Sequence, residues 1–111
     1  EGVVFSTFFT TEIPITETSK IFIDEYRKEY KKEPAAVTAL GFDAYLVILD
    51  AIKKAGSTDT NAVRDAIAKT KGFPGAAGII TLDSNGDAVK NAVIKTVRDG
   101  NFSFVTTIVP E

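Results

Sequence analysis

Gly41 to Ala55 reads GFDAYLVILDAIKKA, and its apolar residues occupy more than one side of a helix. Phe42, Tyr45, Leu46, Leu49 and Ile52 form one stripe at helical spacing, while Ala44, Val47, Ile48 and Ala51 make most of the remainder apolar. Such a helix has to be packed on more than one side. A chain of 111 residues has room for one modest core and no more. Its 44% apolar and 25% charged residues are ordinary for a globular domain and argue against disorder. The longest purely apolar run lies inside Ala44–Leu49, far too short to span a bilayer.

The segments around this helix alternate in type. Val3–Phe9 is rich in β-branched and aromatic residues and reads as a strand apolar on both faces, as in a covered strand of an α/β sheet. Thr10–Ile15 is a connection in which Pro14 removes a donor and keeps Ile13 extended. Thr16 or Thr18 caps a helix that carries Ser19, Phe22, Ile23, Tyr26 and Tyr30 on one stripe and stops at Glu33-Pro34. The aromatic stripe reads as core. Ala35–Ala39 is a short link to the apolar helix, which Gly56 ends. Asp59 caps a third helix, Thr60–Lys69, with Val63 and Ile67 buried. Lys71–Ala77 reads as a loop and Ile79–Leu82 as a short strand. Asp83–Asp87 is a turn in which Asn-Gly supplies positive φ angles. Ala92–Val97 alternates inward Val and Ile with outward polar residues. Asp99-Gly100 then turns the chain into Phe102–Val109, which returns antiparallel.

The chemistry available is narrow. A formal charge of −2 removes the electrostatic case for nucleic-acid or anionic-membrane binding. There is no Cys and no His, so a thiolate nucleophile, the usual general base and the commonest metal ligands are missing. Asp83, Asn85 and Asp87 resemble a calcium loop only superficially, because Gly86 is fourth and Ile94 stands at the twelfth position. A polar turn explains them. Asp50 is the i,i+4 partner of Lys54, whereas Asp43 lies in the first turn of an apolar helix, where it caps or satisfies amides or meets a ligand. Thr7, Thr10 and Thr11 place hydroxyls at the end of a strand, where open α/β sheets gather ligands. Nothing assembles a nucleophile with its base, and no Gly-rich phosphate loop opens a helix.

Three runs of the chain resemble a known family in order and spacing. They are EGVVFSTFF, then EYRKEYKKEPAAVTALGFDAYLVILDAIKKAGSTD, then AVRDAIAKTKGFPGAAGIITLDSNGDAVKNAVIKTVRDGNF. Together they resemble the C-terminal third of leucine/isoleucine/valine-type substrate-binding proteins of bacterial ABC importers, which are type I periplasmic binding proteins. The start at Glu1-Gly2 fits the reading that the chain is a piece of a longer protein.

The resemblance implies an α/β fragment of a two-lobed fold, with one N-terminal strand, three helices and C-terminal hairpin strands. Residues 1–111 would be a single segment contributing to both lobes. Val3–Phe9 and the final hairpin would belong to one lobe and the helices to the other. Thr10–Ile15 and Leu82–Asn91 would cross between them. The implied function is capture of an amino acid or related small carboxylate by hinge closure and delivery to the membrane permease of an ABC importer. No enzyme activity, metal or cofactor is implied, and the location is periplasmic or extracytoplasmic. Val37 aligns with the family position that packs on the ligand side chain, with Ala39 nearby. Thr10, Thr11 and Asp43 complete the candidate ligand-binding set. Surfaces meant for the missing segments would make the isolated chain dimeric or domain-swapped. Rival readings are a ligand-sensing domain of the same fold, an enzyme on a flavodoxin-like sheet, and a dissected fragment without activity of its own.

Overall fold

The chain folds into two bodies joined by two crossing segments, as a computed structural model describing residues 1–111 shows. The first body is a three-stranded antiparallel sheet in the order β1-β5-β6, with β1 at Val4–Thr7, β5 at Ala92–Arg98 and β6 at Asn101–Ile108. The second body holds α1 (Glu17–Tyr30), α2 (Ala36–Ala55), α3 (Thr60–Ala68) and a small sheet of β2 (Phe73–Gly75), β3 (Gly78–Leu82) and β4 (Ala88–Val89). Extensive packing between elements lies within each body. No helix is long and apolar enough to cross a membrane.

The sheet body follows from local signals. Asp99 and Gly100 both sit at left-handed φ, 51° and 73°, which matches the twist of a two-residue hairpin and pairs Arg98 with Asn101. Further along, Ile94 faces Thr106 while Lys95 faces Phe104, so Val105 is the extra residue of a β-bulge. β1 runs antiparallel to β5, from Val4 opposite Thr96 to Thr7 opposite Val93. It is an edge strand with Val4 exposed, not the strand covered on both faces that its composition suggests.

The helical body has its core at Phe9, Phe22, Ile23, Ala39, Ala76 and Ala77. Thr16 caps α1, and Thr16 and Ser19 bond each other's backbone amides as a capping box. The aromatic stripe of α1 begins in this core and leaves it. Phe9–Phe22, Phe22–Tyr26 and Tyr26–Tyr30 stack at 5.9, 5.8 and 4.6 Å, and Tyr30 ends exposed. α2 begins at Ala36, earlier than Gly41, and its extended N-cap residue Ala35 supplies no side-chain cap. Asp59 caps α3 as the sequence predicts, yet Val63 and Ile67 are only half-buried.

Two expectations for the second half change. Lys71–Ala77 is not all loop, since Phe73–Gly75 pairs with β3 and turns through Ala76-Ala77. Pro74 is tolerated because β2 is an edge strand. In the Asp83–Asp87 turn only Gly86 is left-handed, and the Asp83 carboxylate accepts the amides of Asn85 and Asp87.

The molecule exposes 7207 Å², about a fifth more than the roughly 5,950 Å² of a compact monomer of its mass. Its radius of gyration is 15.6 Å, against about 13 Å for a compact domain near this length. Tyr45, Ile48 and Leu49 are exposed, so α2 is covered on one side and open on the other. Core truncation should register where packing is complete. Ile23→Ala, at a side chain 2% exposed, is expected to cost about 2–5 kcal/mol and Ile23→Val about 0.5–1.5 kcal/mol in urea denaturation. Equal costs for both would show that the site collapses freely and is not the core.

Candidate functional site

The two bodies meet at a cleft of about 310 Å³. One wall is β1 and the crossing that follows it, with Phe5, Thr7, Phe9, Thr10 and Thr11. The other is the start of α2, with Pro34, Ala35 and Ala36, and Lys95 and Phe102 complete the lining. Aromatic rings with a few convergent hydroxyls and one ammonium are the usual make-up of a small-molecule site. A larger groove of about 600 Å³ runs between α1 and α2 over Phe22, Tyr26, Tyr30 and Phe42. Its charged groups, Glu25 and Glu29, stand on the exposed face of α1, and Thr38 adds a hydroxyl from α2.

The charged group in the cleft is held by the crossing. The Lys95 ammonium lies 2.8 Å from Glu12 Oε1, with its side chain only 14% exposed. Glu12 Oε2 accepts the Phe104 amide at 2.9 Å, at the bulge of β6. The Thr10 hydroxyl donates to Glu12 Oε1 and accepts the Glu12 amide. Hydrogen bonding from Lys95, then from the Phe104 amide, holds the Glu12 carboxyl below the ordinary glutamate value of 4.5, against the opposing effect of desolvation.

Beneath the start of α2 lies a second polar cluster. Asp43 is 3% exposed, and its two oxygens accept the amides of Ala76 and Ala77 at 2.5 and 2.8 Å. From the other side, α1 donates three hydroxyls to carbonyls of the same turn. Thr18 reaches Pro74 at 2.9 Å, Thr16 reaches Gly75 at 2.7 Å, and Ser19 reaches Ala76 at 2.6 Å. Gly75 is required here, because a Cβ would stand 2.6 Å from an Asp43 oxygen. Lys90, on the second crossing, lies with its ammonium 5.3 Å from the centre of the Phe8 ring. Burial lowers the Lys90 value from that of an ordinary lysine, and the Asp43 charge opposes this.

The candidate residues separate into two groups. Thr10 and Thr11 line the cleft, Thr10 buried and Thr11 half-buried. Val37 is 74% exposed in the first turn of α2, next to the cleft-lining Ala36. Ala39 and Asp43, one turn apart, occupy the buried face of α2, where Ala39 has no exposed surface and Asp43 is engaged by the two amides. Sequence reasoning missed Glu12 and Lys95. The alternation of Ala92–Val97 points Lys95 outward, yet it is two residues from fully buried Val93 and so shares its face. That spacing was the available signal.

This chain belongs to the periplasmic binding protein family, whose model matches residues 1–101. It is similar to a leucine-binding protein from Thermotoga maritima, with 44% identity and a TM-score of 0.91 over 99% of this chain and 31% of that one. A branched-chain amino acid transporter substrate-binding protein from Streptococcus pneumoniae, solved with isoleucine, is 30% identical, with a TM-score of 0.84 over 96% of this chain and 30% of that one. An ABC transporter substrate-binding protein from Desulfitobacterium hafniense, solved with leucine, is 26% identical, with a TM-score of 0.83 over 95% and 31%. The chain thus spans about a third of the length of these relatives, and its α/β fold of three helices and two small sheets is a piece of theirs.

Two measurements test the clusters. Asp43→Asn turns one acceptor into a donor facing a buried amide, so it is expected to cost about 1–3 kcal/mol or more in denaturant unfolding. Gly75→Ala should destabilise similarly by displacing the Asp43 carboxylate, and a neutral result would dissolve the clamp. The Glu12 carboxyl binds protons more weakly in the fold than in the unfolded chain. Its contribution is therefore full above the unfolded value near 4.5 and lost as pH falls through the lower folded value. Glu12→Gln should flatten the acid limb of a stability–pH curve below about pH 4.5 and leave the neutral-to-alkaline limb unchanged.

Proposed function

We propose that this chain is part of the solute-capturing component of an ABC importer, and that the solute is an aliphatic amino acid or a related small carboxylate. The observation that carries this reading is the cleft at the junction of two bodies joined only by crossings, in a chain 44% identical to a leucine-binding protein. Leucine and isoleucine in two of the similar structures favour the aliphatic class. The sheet body belongs to one lobe and the helical body to the other. Ligand favours the closed arrangement by contacts made only there, and a permease receives the solute. The protein works in the periplasm or an equivalent extracytoplasmic space.

Val37 supplies the apolar contact to the ligand side chain, and Thr10 and Thr11 offer hydroxyls at the crossing. Ala39 and Asp43 act on the ligand from beneath, by fixing the first turns of α2. Taken alone, the 111-residue chain pairs its open α2 face with a second copy or exchanges a body with it. Its excess surface supports this reading.

Thermal shift and calorimetry on the full-length protein test the reading, with L-leucine, L-isoleucine, L-valine, acidic amino acids and benzoate as ligands. A ligand at a hundred times its Kd is expected to add about 2.7 kcal/mol to the folded state. Val37→Ala should weaken the preferred ligand without lowering stability by more than about 0.5 kcal/mol. A well-folded protein indifferent to the whole panel would overturn the importer role. For the isolated chain, light scattering should give twice the 11.9 kDa monomer mass, and a cooperative monomer would remove the self-association.

A further inference from the structure

Both crossings are fastened at both ends. On the helical side, Thr16 donates to the Gly75 carbonyl and the Leu82 amide donates to the Thr70 carbonyl. On the sheet side, Lys90 lies over Phe8, and Glu12 reaches Lys95 and the Phe104 amide. Between Glu12 and Thr16 stand Ile13, Pro14 and Ile15, and no hydrogen bond holds their backbone. The β5–β6 ladder shifts register beside Phe104, and Glu12 accepts the Phe104 amide there.

We propose that Glu12 is the positioning residue of the hinge: by pinning the crossing, whose Phe9 is seated in the helical core, to Lys95 and to the bulge amide of Phe104, it limits how the two bodies turn against each other. The geometry gives it this role because one carboxylate joins three things. It sits on the crossing, it neutralises the cation of the cleft, and it meets the β5–β6 ladder where the register shifts. Without it the crossing, whose Phe9 stays seated in the helical core, loses this tie to the sheet body. The two bodies then sample more orientations, and the closed one is a smaller share of them. Its effect on affinity rests on the hinge-closure reading above, whereas its effect on the bodies' mutual freedom does not.

The test uses the full-length protein with spin labels at Lys53→Cys on α2 and Thr106→Cys on β6, one in each body. The ligand-free distance distribution is expected to broaden in Glu12→Gln and in Lys95→Met. The double variant should be no broader than either single one, because both break one contact. Glu12→Asp, which keeps the charge, should restore part of the narrow distribution. In calorimetry with L-leucine, Glu12→Gln should weaken binding by about three- to tenfold, as expected when the competent state is a smaller fraction. Distributions unchanged in both single variants would overturn the proposal, even if melting temperatures fall. If Glu12→Gln does not fold, Lys95→Met alone decides it by the same distribution. Broadening in a protein that binds none of the panel would uphold the hinge role and sink the importer reading instead.

Discussion

The arrangement depends on how the Pro74–Ala77 turn is held. Its carbonyls at Pro74, Gly75 and Ala76 take three hydroxyls from α1, and its amides at Ala76 and Ala77 go to the Asp43 carboxylate of α2. Without partners, the buried Ala76 carbonyl and the Ala76 and Ala77 amides would stand at the full cost of desolvation. A buried carboxylate without partners would cost more still. The two needs cancel only in one geometry, which fixes α1, α2 and the hairpin relative to one another. The core of Phe22, Ile23, Ala39, Ala76 and Ala77 then fills the space around them.

Both crossings start from this cluster. Thr16, which caps α1 and bonds Gly75, is the first residue after one crossing, and β4, paired back onto β3, runs into the other. The helical body therefore presents its two connections as a rigid pair. The start of α2, where Val37 stands, is tied to the same point through Ala39 and Asp43 on its buried face. A rotation at the crossings moves the cleft wall as a unit.

What was legible in the sequence was local. Asp59 as a cap and Asp99-Gly100 as a hairpin turn are decided within a few residues, and both stand as read. The start of α2 was not legible, because Ala35 has no polar side chain to announce a cap. β2 was hidden because KGFPGAA has loop composition and becomes a strand only against β3. Asp43 was recognisable as a residue that could satisfy amides, but those amides lie 33 and 34 positions away, in another element. Glu12 gave no signal at all, since one of its partners is 92 residues distant and lies beside a bulge. The resemblance to the binding-protein family carried the order of segments. It carried none of these contacts.

The two ends of the first crossing differ in strength for a physical reason. The helical end is buried, and its carboxylate accepts two amides in a site that excludes water, where each such bond is worth about 1.5–3 kcal/mol. At the sheet end, Glu12 is 40% exposed, and ion pairs open to water contribute only about 0–1 kcal/mol. A torque on the crossing therefore yields at Glu12 long before it disturbs the Asp43 cluster. A strong fastening there would be redundant for folding and would resist the turning proposed for the two bodies. A weak one directs the bend without adding much to its cost. The carboxylate that contributes least to stability can thus have the larger say in which orientations the two bodies share.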